Sequence, residues 1–205
     1  VTLTLDFLRH GTPVGGRRYR GQIDDALSPE GWEEMRRALG DAVPWQGLLS
    51  SPLRRCREFA EDLAARHALP LTLEPALREI GFGVWEGKTR AEIEAEYPGA
   101  LQRFKQDPLV WRPSGAEPLD AFAQRIHTAL DGLLMRALVR PGQTHLLVIC
   151  HAGSIRMALA DALALPLNNA YRVDVPSAGL TRIQYSGLPH APQASLLFHG
   201  RRRLD

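Results

Sequence analysis

The chain is poor in the features that would assign it quickly. It has only two cysteines, Cys56 and Cys150, far apart and in no C-x-x-C pair. That excludes a disulfide framework and a zinc-ligand spacing, and it fits a reducing, cytoplasmic setting. No apolar run nears the roughly 20 residues that span a bilayer; LLVIC at 146–150 is strand-sized. The first residues lack a charged segment ahead of an apolar core, so no secretory signal is legible. Charge of one sign is also missing: the net charge is +2, and the small excess is arginine rather than a lysine-rich arm. Neither nucleic acid nor a membrane is an expected partner. No repeat is present. What remains is 205 residues, 44% hydrophobic, enough for one globular domain with a substantial core.

Periodicity gives the organisation. Leu3, Leu5 and Phe7 alternate with Thr2, Thr4 and Asp6, which predicts a strand that delivers Arg9 and His10 to its end. Ser28-Pro29-Glu30 opens a helix running to about Gly40, with serine as N-cap and proline at the first helical position. A buried strand over 47–51, a helix from Pro52 carrying Cys56, Phe59 and Leu63 on its apolar face, and a strand over 71–73 follow. The glycines of LREIGFGVWEG, 77–87, predict a loop. Short helical pieces broken by proline and glycine lead to a long helix over about 119–138, a strand ending at His151 and a helix from near Gly153. Segments 171–175, 179–185 and 194–198 read as further strands at a sheet edge, where two copies of the chain could pair as a homodimer. The expected fold is α/β: a three-layer sandwich around a largely parallel mixed sheet, one domain over 1–205 with a helical cap inserted at about 80–118.

In such sheets ligands bind beyond the carboxyl ends of the strands. His10, the stretch SSPLRRC, Glu79 and His151 each follow a strand and should meet in one crevice. Two histidines, several arginines and one carboxylate there suit phosphoryl transfer that needs neither metal nor cofactor. Guanidinium groups match phosphate oxygens bidentately. A neutral imidazole can attack phosphorus, and nearby arginines keep it neutral by disfavouring its charged form. A second histidine can donate to the transferring oxygens. A carboxyl group can protonate the leaving alkoxide once burial and the bound phosphate raise its pKa.

LRHG at 8–11, SPLRRC at 51–56, LREIGFGVWEG at 77–87 and CHAGSIR at 150–156 resemble, in this order, the motifs of the histidine phosphatase family, also called phosphoglycerate mutase-like. The resemblance covers nearly the whole chain. It implies His10 as the phosphorylated nucleophile, Arg9, Arg55 and His151 as the rest of the phosphate pocket, and Glu79 as the general acid. Arg55 rather than Arg54 matches, because it directly precedes the small residue Cys56. Gly21 and Gln22 match an entrance loop, and the amide of Ala152 a phosphate donor. Many members read R-H-G-E with an asparagine a few residues on; here Thr12, Pro13, Gly15 and Gly16 stand instead, leaving Arg17, Arg18 and Arg20 as candidates to compensate. The compact length, GFGVWEG and GQIDDALSPEGW look like the α-ribazole phosphatase branch of cobalamin biosynthesis. That likeness implies hydrolysis of a small phosphate monoester, α-ribazole 5'-phosphate or adenosylcobalamin 5'-phosphate, rather than the intramolecular transfer of the longer mutases.

Blander and rival readings stand beside these. His67, His127, His145, His190 and His199 have no partner pattern and read as structural, and Arg54 and Arg57 as helix-face residues. Phe82, Trp85, Phe104 and Trp111 either form an aromatic wall for a benzimidazole ring, with Trp85 the foremost candidate for substrate contact, or pack the cap against the sheet. Residues 150–156 also fit C-x-x-G-x-x-R, the phosphate loop of cysteine-dependent phosphatases, with Cys150 as thiolate and Arg156 as clamp. That reading leaves Arg9, His10 and Glu79 unused. A broad-specificity or mutase-like enzyme would also fit these motifs, as would a non-catalytic phosphate-ligand binder on the same fold.

Overall fold

A computed structural model describes residues 1–139, 142–188 and 191–204; His190 lies outside them. Six strands form one sheet: β1 (Thr2–Arg9), β2 (Gly47–Ser50), β3 (Leu71–Leu73), β4 (Gln143–Cys150), β5 (Leu180–Leu188) and β6 (Ala191–Arg201). Their order is β3-β2-β4-β1-β5-β6. The first four strands of that order pair in parallel, whereas β5 runs antiparallel to β1 and β6 antiparallel to β5.

Six helices connect and cover the sheet: α1 (Pro29–Leu39), α2 (Arg54–His67), α3 (Arg90–Glu96), α4 (Ala100–Gln106), α5 (Leu119–Ala137) and α6 (Ala152–Ala162). The period-2 alternation of the strands sorts the core into two layers. Leu3, Leu5 and Phe7 of β1 and Val148 and Cys150 of β4 pack with α5, α6 and the 80–118 segment. Leu8 of β1 and Leu147 and Ile149 of β4 face α1 and α2. The result is a three-layer sandwich with helices on both faces.

Local signals account for most boundaries. Ser28 caps α1, its hydroxyl accepting from the Gly31 amide, with proline in the first turn. Helix α2 begins at Arg54, two residues after the predicted start, because Leu53 is still extended. Residues 171–175 are not a strand: Leu167–Arg172 form a 3-10 turn after Pro166. On that side β6, not β5, is the outer strand. Asp6, on the polar side of the β1 alternation, is 0% exposed. It accepts from Trp45 Nε1, His145 Nε2 and both Arg182 Nε and Nη2, which supplies the partner that His145 lacks in the sequence pattern. Among the described residues no helix is long and apolar enough to cross a membrane.

Candidate active site

Strand register builds the site. In the parallel β1/β4 pair Arg9 lies opposite Cys150, so the next residues, His10 and His151, leave adjacent strands side by side. Their ring centroids are 5.2 Å apart, edge to face. Ser50 of β2 pairs with Ile149, which puts Ser51 next in the same row, its Oγ 2.7 Å from His151 Nε2. The sequence pattern does not single out Ser51; its place directly after a strand, in SSPLRRC, is the available signal.

His10 is 7% exposed. Its Nδ1 donates to the Gly11 carbonyl at 2.7 Å, so Nε2 is the ring nitrogen that keeps a lone pair. Burial, then Arg55, then Arg9 hold its pKa well below the usual imidazole range, against the opposing effect of the Gly11 bond. His151, fully buried, is lowered well below that range by burial, Arg55 and His10. Both rings are therefore neutral near pH 7.

The arginines are held from behind. Arg55, 0% exposed, donates through Nη1 to the Ile23 carbonyl and through Nη2 to the Gly21 carbonyl. Arg9 donates to the Val175 carbonyl at 2.6 Å. In each the Nε atom is buried without a protein partner. A desolvated, unpaired guanidinium N–H costs about 1–3 kcal/mol or more, and an anion entering between these residues removes that cost. Leu53, the N-cap residue of α2, has no capping side chain, and Asp24 Oδ1 instead accepts the Arg54 amide at 2.6 Å, while Arg55 stands in the first turn. Arg55 at this helix start is an unfavourable local choice for the helix dipole, made where a cation is needed at the site. Helix α6 adds positive potential there, since His151 is its N-cap and the amide of Ala152, its first residue, has no intrahelical acceptor.

Glu79 is 7% exposed, with Oε1 accepting from the Ile80 amide and Oε2 from the Gly153 amide at the start of α6. Each oxygen keeps a further lone-pair direction for a proton. Three side chains, Arg125, Glu86 and Gln22, fix this loop. Arg125 of α5 donates to the carbonyls of Ala76, Arg78 and Glu79 while forming a two-bond ion pair with Glu117. Glu86 accepts the amides of Gly21, Gln22, Ile23 and Phe82, and Gln22 Nε2 donates to the Glu79 carbonyl at 2.5 Å. Thus Gly21 and Gln22 connect Arg55 to the Glu79 loop. The acid between Trp85 and Gly87 is the sequence signal for Glu86; Arg125 sits in an ordinary helix pattern and gives none.

Several expectations change. Trp85 is 3% exposed and packs edge to face with Tyr19 and Phe104; Phe82 also packs on Tyr19 and Phe104. These rings pack on one another rather than forming an open stacking wall, and the exposed Trp111 carries Arg103 over its ring. Trp85 therefore offers substrate no free face. Arg18 and Arg20 are committed to the loop itself: Arg18 donates to the Gly15 and Gly87 carbonyls, and Arg20 to Asp25 and to the Val14 and Gly16 carbonyls. Thr12 is bound to Glu34. Arg54 and Arg57 pair with Glu58 and Glu61 along α2.

The cysteine reading is overturned. Cys150 is fully buried, and burial raises its thiol well above the ordinary range, so no thiolate nucleophile is available. Arg156 turns to the Val173 carbonyl and the Tyr171 ring. Cys56, pushed up to about 12 chiefly by burial, stays a thiol that donates to the Cys150 carbonyl at 3.5 Å and lies 3.6 and 3.9 Å from Nε2 and Nδ1 of His151.

Sequence and structure comparisons relate the chain to known proteins. A bifunctional protein of Mycobacterium tuberculosis is 32% identical over 88% of this chain, which spans about half of that relative's length. A glucosyl-3-phosphoglycerate phosphatase of Mycolicibacterium vanbaalenii is 32% identical over 80% of this chain and 76% of its own. The structure of a mycobacterial glucosyl-3-phosphoglycerate phosphatase superposes with a TM-score of 0.86 at 27% identity, covering 98% of this chain and 99% of that one. The α-ribazole phosphatase of Shigella flexneri, at 22% identity, shares the fold with a TM-score of 0.81 over 98% of each chain. The profile of the histidine phosphatase superfamily (branch 1) matches residues 5–191, and the chain belongs to that superfamily.

Proposed function

We propose that the protein hydrolyses phosphate monoesters through a covalent phosphohistidine at His10. The observation that carries this reading is the Nδ1 bond to the Gly11 carbonyl, which leaves a neutral, lone-pair-bearing Nε2 beside two arginines with unpaired N–H groups. In the first step the Nε2 lone pair forms the N–P bond as the ester P–O bond breaks. Glu79 gives its proton to the departing oxygen. In the second step water attacks phosphorus, its proton passes to the Glu79 carboxylate, and the N–P electron pair returns to Nε2. Arg9, Arg55, His151 and the Ala152 amide hold the equatorial oxygens, where most of the stabilisation of phosphoryl transfer is needed.

For the leaving group, the sequence resemblance favours α-ribazole 5'-phosphate or adenosylcobalamin 5'-phosphate. Against it, the rings that would stack on a benzimidazole are used inside the cap. Phosphate esters of glycerate, the type in the names of relatives 32% identical to this chain, take precedence. The test is phosphate release from α-ribazole 5'-phosphate, 3-phosphoglycerate and phenyl phosphate with EDTA present, with His10→Ala as control. Turnover of at least one ester that vanishes in His10→Ala supports the reading. Turnover that survives the substitution, or is abolished by EDTA, refutes it.

A further inference from the structure

His151 is fully buried and neutral near pH 7, so its ring carries a single N–H. Which nitrogen holds that proton decides what the ring offers a phosphoryl group. Nε2 faces Ser51, which leaves Nδ1 for a ligand. With the proton on Nε2, Nδ1 would present a lone pair and repel phosphoryl oxygens. With the proton on Nδ1, the same ring becomes a donor.

The surroundings of Ser51 favour the second arrangement. Ser51 is fully buried, one residue beyond β2, with Oγ 2.7 Å from His151 Nε2. The Leu53 amide donates to the same oxygen at 3.3 Å, which engages a lone pair and leaves the hydroxyl proton to be given. Two acceptors lie within its reach, His151 Nε2 and the Cys56 sulfur. Sulfur is the weak acceptor of the two. The Cys56 thiol directs its own proton to the Cys150 carbonyl, so it does not compete for Nε2. Apart from that sulfur, at 3.9 Å, Nδ1 of His151 has no hydrogen-bond partner among the described residues.

We propose that Ser51 is a positioning residue that donates its hydroxyl proton to His151 Nε2 and thereby fixes His151 as an Nδ1–H donor to the phosphoryl group. This rests on the phosphatase reading above and deepens it. The two histidines then share one tautomer with opposite uses. His10 gives Nδ1–H to the Gly11 carbonyl and attacks with Nε2, whereas His151 accepts at Nε2 and donates from Nδ1.

Nitrogen-15 NMR of labelled histidine reads the tautomer directly: at about pH 7.5 the wild-type His151 should show a protonated Nδ1 and a bare Nε2. In Ser51→Ala that single tautomer should be lost, and kcat/KM for phenyl phosphate should fall by about tenfold to a hundredfold, short of the loss of a whole oxyanion donor. In the His151→Ala background the further change Ser51→Ala should cost less than about twofold, because the hydroxyl acts through the ring. A wild-type His151 protonated on Nε2, a Ser51→Ala rate within about threefold of wild type, or the same fractional loss when His151 is absent overturns the proposal. Where His151→Ala is too slow to follow, the wild-type tautomer alone decides. Turnover that persists in His10→Ala would instead overturn the phosphohistidine mechanism on which the role of Ser51 rests.

Discussion

Gly153 and Glu79 are fitted to each other: the Gly153 amide donates to Glu79 Oε2 at 3.0 Å, and a methyl group on Gly153 would lie 2.1 Å from Glu79 Oε1. The glycine is required by proximity, because its backbone is ordinary helix, and it sets where the carboxyl group stands relative to the N-terminus of α6. Gly153→Ala must therefore displace Glu79 while leaving His10 in place. With an ester of a poorly acidic alcohol, which needs the proton, kcat should fall by about 10²-fold or more. With an aryl phosphate, whose leaving group departs readily, the fall should be much smaller. Equal losses on both would mean that Glu79 does not supply the proton.

His10 should be neutral well below the usual imidazole value of 6.5, because burial, Arg55 and Arg9 all oppose its charge. Nitrogen NMR of the free protein should report the Nδ1–H tautomer at pH 6.5, where an ordinary imidazole is half protonated. In Arg55→Met the titration should move upward, since one of the opposing charges is gone. A titration of His10 at or above 6.5 in the wild type, or a proton on Nε2, contradicts the assignment of Nε2 as the nucleophile.

Asp6 supplies a pH-dependent part of stability remote from chemistry. Its pKa is lowered from 3.8 to about 2 by the bonds from Arg182, His145 and Trp45, which outweigh the effect of burial. A carboxylate lowered on folding stabilises the native state above its unfolded value, and this contribution, about 2 kcal/mol, disappears as pH falls from 3.8 toward 2. Denaturant titrations of wild type and Asp6→Asn should differ by roughly that amount at pH 6 and converge at pH 2. A gap that does not change with pH would assign the effect to packing.

The fold was legible where periodicity and caps agree. The alternation of β1, the Ser28 cap with Pro29, and the strand leading into His151 all stand where the sequence puts them. Residues 171–175, YRVDV, failed because alternation over five residues does not distinguish a strand from the end of a 3-10 turn and the chain that leaves it. At the site, residues that follow strands could be placed by topology, since every parallel strand brings its carboxyl end to one edge. Arg125 could not: it acts on backbone carbonyls from an ordinary helix pattern, whereas Glu86 lies inside a recognisable motif whose letters do not say that it binds backbone amides. The aromatic residues of the cap illustrate the same limit, because composition gives an aromatic cluster but not which way its faces turn.

A phosphoryl group on His10 Nε2 is the step on which the whole mechanism depends. Rapid acid-free quenching during turnover of a phosphorus-labelled ester, followed by peptide mapping, tests it directly. The expected result is an acid-labile, alkali-stable phosphate on the peptide containing His10, formed at least as fast as turnover and lost in His10→Ala together with activity. Label on another residue, or steady turnover by His10→Ala, would contradict it.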